Sequence, residues 1–98
     1  MAVVAQVILR GVSREQYDAV RAAAGWLDNV PTGGLAHIAW WVGDDNYNLD
    51  AWESEDAFNV FGAERLGPAM AQIGIAVAPE VTFHAAHEVF LPQPLILT

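Results

Sequence analysis

The stretch Asn48–Pro68, NLDAWESEDAFNVFGAERLGP, runs from a half-polar strand straight into a capped amphipathic helix. Ser54 stands where an N-cap belongs, because its hydroxyl suits an orphan amide of the first turn. Glu55 and Asp56 follow it, where the helix dipole favours anions. Phe58 and Phe61 are the apolar anchors of this helix. Pro68 cannot sit in a regular helix, since its ring would meet the carbonyl of Glu64, so the pattern predicts a kink or restart after Gly67 and an end near Ile73.

Working outward, Tyr47–Glu53 reads as a strand that returns antiparallel to the preceding run, Gly34–Gly43, across a turn at Asp44-Asp45-Asn46. A short hairpin loop places Trp41 opposite Asp50 and Ala39 opposite Trp52. Residues 2 to 10 form a first strand whose odd face (Val3, Ala5, Val7, Leu9) and even face (Val4, Gln6, Ile8) are both largely apolar, so both need cover. Ser13-Arg14-Glu15-Gln16 is a capping box with Val12 and Tyr17 as a hydrophobic staple. It opens a helix that buries Tyr17, Val20 and Ala24 and stops at Gly25. A last strand is expected from Glu80 to Phe90, followed by an extended arm at residues 91–98, LPQPLILT. The order β-α-β-β-α-β predicts a ferredoxin-like α+β fold with both helices on one face of a four-stranded antiparallel sheet. Residues 1–98 make one domain, and the helix-free face is expected to pair with a second copy.

Within the opening stretch, Asp50, Trp52, Glu53, Ser54, Phe58, Phe61, Arg65, Leu66 and Pro68 resemble the D-x-W-E-S…F…F…R-L-x-P run of small dimeric α+β barrel proteins, the superfamily of the antibiotic-biosynthesis-monooxygenase-like domains. The resemblance implies a homodimer whose two sheets close into a barrel, with ligands between the helix-free sheet face and the partner's. It also implies a range of activities: cofactor-free oxygenases, isomerases and haem degraders. The reaction therefore has to be argued from the site.

Composition narrows the choice. The 98-residue chain is 54% hydrophobic and only 16% charged, more apolar surface than a lone small domain easily hides. Four Arg, no Lys and a net charge of -8 leave no basic patch for nucleic acid or an anionic membrane. Cysteine is absent, which removes thiolate catalysis and Cys-ligated zinc. The first residues lack a basic leader region and no stretch approaches transmembrane length, so a cytoplasmic protein is expected.

Strand alternation assigns faces. With Leu49 and Ala51 toward the helices, Asp50 and Trp52 face the helix-free cleft, joined by His37, Ala39 and Trp41. Gln6 and Arg10 on the first strand and Thr82, His84 and Glu88 on the last belong to that same face, while Trp40 packs beneath a helix. His87 shares the parity of the helix-facing residues and belongs near an edge or in a polar niche. His37 is the candidate general base, because imidazole titrates near neutrality. Trp41, Asp50, Trp52, Gln6 and His84 are candidate ligand contacts. The register leaves His37 and Asp50 four residues apart along the hairpin, on the order of 13 Å, which argues against a direct pair and leaves Asp50 to bind ligand or meet Arg10. His37 and His84 on opposite edge strands cannot share a metal ion, and no nucleotide loop is present, so no metal and no cofactor are expected. Neither helix contains a histidine, which counts against haem. Arg65 is expected to pair with Glu64 or Asp56, and Trp26 to cover the end of the first helix.

These residues point to a homodimer that binds an apolar aromatic or polyketide-like molecule and acts without a cofactor as an oxygenase, isomerase or cyclase, with His37 abstracting a proton. The competing reading is a non-catalytic stress-type or binding dimer in which the histidines and tryptophans are packing. A cleft filled by side chains is what distinguishes it.

Overall fold

The computed structural model describes residues 1–92. The elements are β1 (Val3–Leu9), α1 (Arg14–Ala24), β2 (Gly34–Val42), β3 (Asp45–Trp52), α2 (Glu55–Phe61), a π-helical turn (Gly62–Leu66), α3 (Gly67–Ile73) and β4 (Glu80–Ala85). The sheet order is β2-β3-β1-β4 and every pairing is antiparallel, which is the ferredoxin-like βαββαβ arrangement. The expected arm at 91–98 lies outside the described residues except for Leu91 and Pro92.

Local chemistry shapes the helices as the residue types require. Ser13 and Gln16 form the reciprocal capping box of α1, and Gly25 ends it in the left-handed conformation with φ +70°. The Ser54 hydroxyl accepts from the Ala57 amide. Pro68 is accommodated by widening the helix before it: the Gly67 amide donates to the Gly62 carbonyl five residues back, so the helix continues through a π turn to Ile73. The expected break is therefore a continuous widened helix. Arg65 projects from that turn and donates to the carbonyls of Ala24 at 2.6 and 2.9 Å and of Asn29 at 2.7 Å. It satisfies the C-terminal end of α1, and the ion pair expected with Glu64 or Asp56 is not formed.

The hairpin differs from expectation by four residues. Gly43 takes φ +60° at the first central position of a two-residue loop, as a type II′ turn requires. Val42 then pairs with Asp45, Trp41 with Asn46 and His37 with Asp50, with a bulge between Gly34 and Ala36. The last strand also stops early. Val3 is the final partner available on β1 and pairs with Ala85, so His87, Glu88 and Val89 lie beyond the ladder.

The core lies between sheet and helices: Ala5, Val7 and Leu9 of β1 and Trp52 of β3 meet Val20, Ala24, Phe58, Phe61, Ala69 and Met70. Trp52 is 0% exposed and lies against Trp26, Phe58 and Phe61. Asn46, Asn48 and Asp50 share that buried face. The face assignment of β3 is thus reversed from expectation: Asp50 and Trp52 point toward the helices and Leu49 and Ala51 away. Trp40 is reversed as well. It lies on the helix-free face, 39% exposed, against Tyr47 at 5.7 Å. Arg10 meets neither Asp50 nor the core; it bridges Asp45 at 3.0 Å and Glu80 at 2.9 Å, tying β1 to β3 and β4. The Gly11 amide and then Arg10 hold the Asp45 carboxyl below its ordinary range, and Arg10 does the same for Glu80.

Candidate functional site

The corrected register brings together what the sequence reading separated. His37 on β2 sits directly across from Asp50 on β3, and Nδ1 lies 2.6 Å from the Asp50 Oδ1. The second Asp50 oxygen accepts from Trp52 Nε1 at 3.2 Å, so the carboxylate is held from two sides. The other imidazole nitrogen, Nε2, lies 2.6 Å from the hydroxyl of Tyr17 on α1. A buried carboxylate beside Nδ1 favours the tautomer with the proton on Nδ1, which leaves Nε2 an acceptor and the Tyr17 hydroxyl its donor. Tyr17 stacks on His37 with ring centroids 6.0 Å apart and planes 4° from parallel, and Trp41 abuts Tyr17 edge-on at 5.5 Å. Burial pushes the Tyr17 phenol above its ordinary value, while nearby Arg21 pulls the other way.

This array borders a half-open cavity of about 70 Å³, lined by Tyr17, Arg21, Trp26, His37, Asn48 and Asp50 together with aliphatic core residues. At the ~10–15 Å³ that one water takes in the same measure, the space suits about five waters. Asn48 supplies an unpaired acceptor. Its Nδ2 donates to the carbonyl of Val7 at 3.2 Å and to Asn46 Oδ1 at 2.8 Å, which sets the amide orientation and leaves Oδ1 buried with no partner. A buried carbonyl without a donor costs roughly 1–3 kcal/mol unless something else supplies one. A larger, shallower groove of about 470 Å³ runs over Phe58, Leu66, Met70 and Val81, and no titratable side chain lines it.

Of the sequence candidates, His37 and Asp50 line the cavity. Trp52 supports Asp50 from the core, and Trp41 braces Tyr17 while donating its Nε1 to the Val12 carbonyl at 2.9 Å. Gln6 and His84 do not join them. Gln6 pairs with Thr82 and Val4 with His84, which places both on the helix-free face of the sheet. The cavity bordered by His37 and Asp50 thus lies under the helices, on the opposite side of the sheet from Gln6 and His84. Tyr17, Trp26 and Asn48 went unrecognised as site residues. Tyr17 is legible in sequence only as a helix staple and Trp26 as a helix cover, whereas Asn48 lies on the buried stripe with Asn46 and Asp50, the face opposite to the one expected for Asp50. Among the described residues no group of three His, Asp or Glu is placed to hold a metal ion. No helix among them is long and apolar enough to cross a membrane.

No family model matches the chain, and no curated protein matches it in sequence. Solved structures do. A protein of unknown function from Nitrosomonas europaea is similar at 18% identity over 95% of this chain and 96% of its own, with a TM-score of 0.71. A monooxygenase from Streptomyces coelicolor, solved with nanaomycin D, is 28% identical over 94% of this chain and 93% of its own, with a TM-score of 0.61. SnoaB, a cofactor-independent oxygenase from Streptomyces nogalater, shares the fold at 16% identity over 94% of this chain and 97% of its own, with a TM-score of 0.63. By this architecture and these likenesses, the chain shares the α+β fold of the antibiotic-biosynthesis-monooxygenase-like proteins.

Proposed function

We propose that the protein is a cofactor-independent, homodimeric cytoplasmic oxygenase that takes an acidic aromatic or polyketide-like molecule, with His37 as the base that receives its proton. The observation that carries this reading is the His37–Asp50 pair, 2.6 Å apart, at the wall of an apolar cavity. A buried ion-capable pair of this kind adds little to stability compared with apolar filling, so its placement beside open space favours chemistry over packing. The same contrast disfavours a purely structural dimer. The likeness to oxygenases, one of them in complex with nanaomycin D, points the same way.

The reacting edge of the substrate meets the cavity wall at His37, with Arg21 lining the same space. Asp50 holds the Nδ1 proton and stabilises the imidazolium as His37 accepts a proton at Nε2. For an anthrone the outcome balances: the deprotonated carbon passes an electron to oxygen, the two radicals combine into a peroxide on that carbon, and loss of water leaves the carbonyl, so anthrone plus O2 gives anthraquinone plus water.

The test uses 1,8-dihydroxyanthrone and follows oxygen uptake and quinone absorbance above the buffer rate. His37→Gln is expected to lower the enzyme-dependent rate by about 10²–10⁴-fold while leaving the fold intact. Retention of the rate in that variant, with the wild type active, removes His37 as the base.

Pairing through the helix-free face has its own check. Ile38, Trp40 and Val42 project from β2 on that face with exposures of 58%, 39% and 56%, a row of large apolar side chains on an edge strand. Trp40→Glu is expected to turn a dimer into a monomer in sedimentation analysis, and a wild-type protein that sediments as a monomer at micromolar concentration contradicts the assembly.

A further inference from the structure

Imidazole has two nitrogens, and both are engaged in His37: Nδ1 with Asp50 and Nε2 with Tyr17, each at 2.6 Å. A substrate can reach Nε2 directly only if Tyr17 leaves. Tyr17 is poorly placed to leave. The capping box and the Trp41 bond to the Val12 carbonyl secure the start of α1, and Arg65 secures its end through the Ala24 carbonyl. The phenol itself is held at its hydroxyl by His37 and against its ring by Trp41 in edge contact.

We infer that Tyr17 is the catalytic residue that meets the substrate, taking its proton at the phenolic oxygen while passing its own proton to His37 Nε2, with Asp50 behind them as the positioning carboxylate. This deepens the oxygenase reading above and rests on it. One proton moves and no other reactant is needed. The substrate loses H⁺ to the Tyr17 oxygen, the original phenolic proton arrives on Nε2, and the resulting imidazolium faces the Asp50 carboxylate. The path runs backwards to protonate the oxygen that departs as water.

The surroundings suit a phenol that passes a proton on without ionising, with burial holding it protonated and Arg21 the one charge that works the other way. Arg21 lies one helical turn beyond Tyr17, lines the same cavity and forms no ion pair among the described residues. The titratable and charged groups facing Tyr17 are Asp18 and Arg21 on α1, His37 on β2 and Asp50 on β3. Burial keeps the resting phenol protonated, which is the form that donates to Nε2.

The experiment compares wild type, Tyr17→Phe and His37→Gln in oxidation of 1,8-dihydroxyanthrone, with circular dichroism to confirm folding. The relay predicts that both variants lose about 100-fold or more. It also predicts that 3,5-difluorotyrosine placed at position 17, which keeps the shape and the hydrogen bond but is more acidic, changes the rate and moves the alkaline side of its pH profile to lower pH. That variant decides the matter if Tyr17→Phe does not fold, because a phenol with only a packing role leaves the profile unmoved. A Tyr17→Phe rate within threefold of wild type, with His37→Gln inactive, overturns the relay and keeps His37 as a direct base. Wild-type rates in both variants overturn the relay and His37 as the base while leaving the oxygenase reading, and no acceleration by the wild type over buffer overturns the oxygenase reading together with the relay.

Discussion

Trp52→Ala is expected to destabilise the protein by about 3–5 kcal/mol, the usual cost of truncating a large buried aromatic. The indole is 0% exposed and is walled by Trp26, Phe58 and Phe61, side chains drawn from a loop and from α2. None of these can collapse into the vacated space without leaving its own contacts, so the cavity term adds to the lost burial. Its removal also deprives Asp50 of the Nε1 donor. Single domains of this kind are stable by only about 5–15 kcal/mol, so the loss is a large part of the whole. Thermal denaturation should show a midpoint lower by roughly 15 °C or more. A cost under 1.5 kcal/mol, roughly the lower bound for any buried aromatic, contradicts the core placement of Trp52.

Asp50→Asn is expected to leave the fold standing and to cost about 10³–10⁴-fold in the His37-dependent reaction. The substitution is nearly isosteric, and an amide oxygen can still accept from Trp52. What changes is the tautomer. An amide N–H presented to Nδ1 drives the imidazole proton to Nε2, where Tyr17 can no longer donate and no lone pair is left to receive a proton. In serine proteases the equivalent change acts through the same loss of tautomer and has a comparable size. Nitrogen-15 spectra of His37 report the tautomer without any substrate, so the structural half of the prediction is checked separately from the rate. An unchanged Nδ1-protonated signal in the variant contradicts the assigned role of Asp50.

Local readings held where local chemistry decides. Ser13 with Gln16 and Ser54 with the Ala57 amide are satisfied within one turn of the backbone, so their residue types suffice to place them. The placement of His37, Trp41, Asp50 and Trp52 on a common face also held, because strand alternation is a property of the chain itself. Which face that was did not follow. A polar stripe of Asn46, Asn48 and Asp50 reads as solvent-facing under any rule that sends polar groups outward. It is buried here because its members bond one another, the Val7 and Trp40 carbonyls, His37 and Trp52.

The separation of His37 from Asp50 illustrates how register escapes local inspection. Moving the turn from Asp44-Asp45-Asn46 to Gly43-Asp44 shifts the pairing by four residues, and four is even, so residues that share a face go on sharing it while each partner changes. The order of elements, the helix caps and the shared parity of the candidate residues could be read from residue types and spacing, since each depends on neighbours within a few positions. The site itself, with Tyr17 brought from a distant helix onto an imidazole whose carboxylate lies across a hairpin, was decided by tertiary packing, because it depends on which sheet face the helices cover.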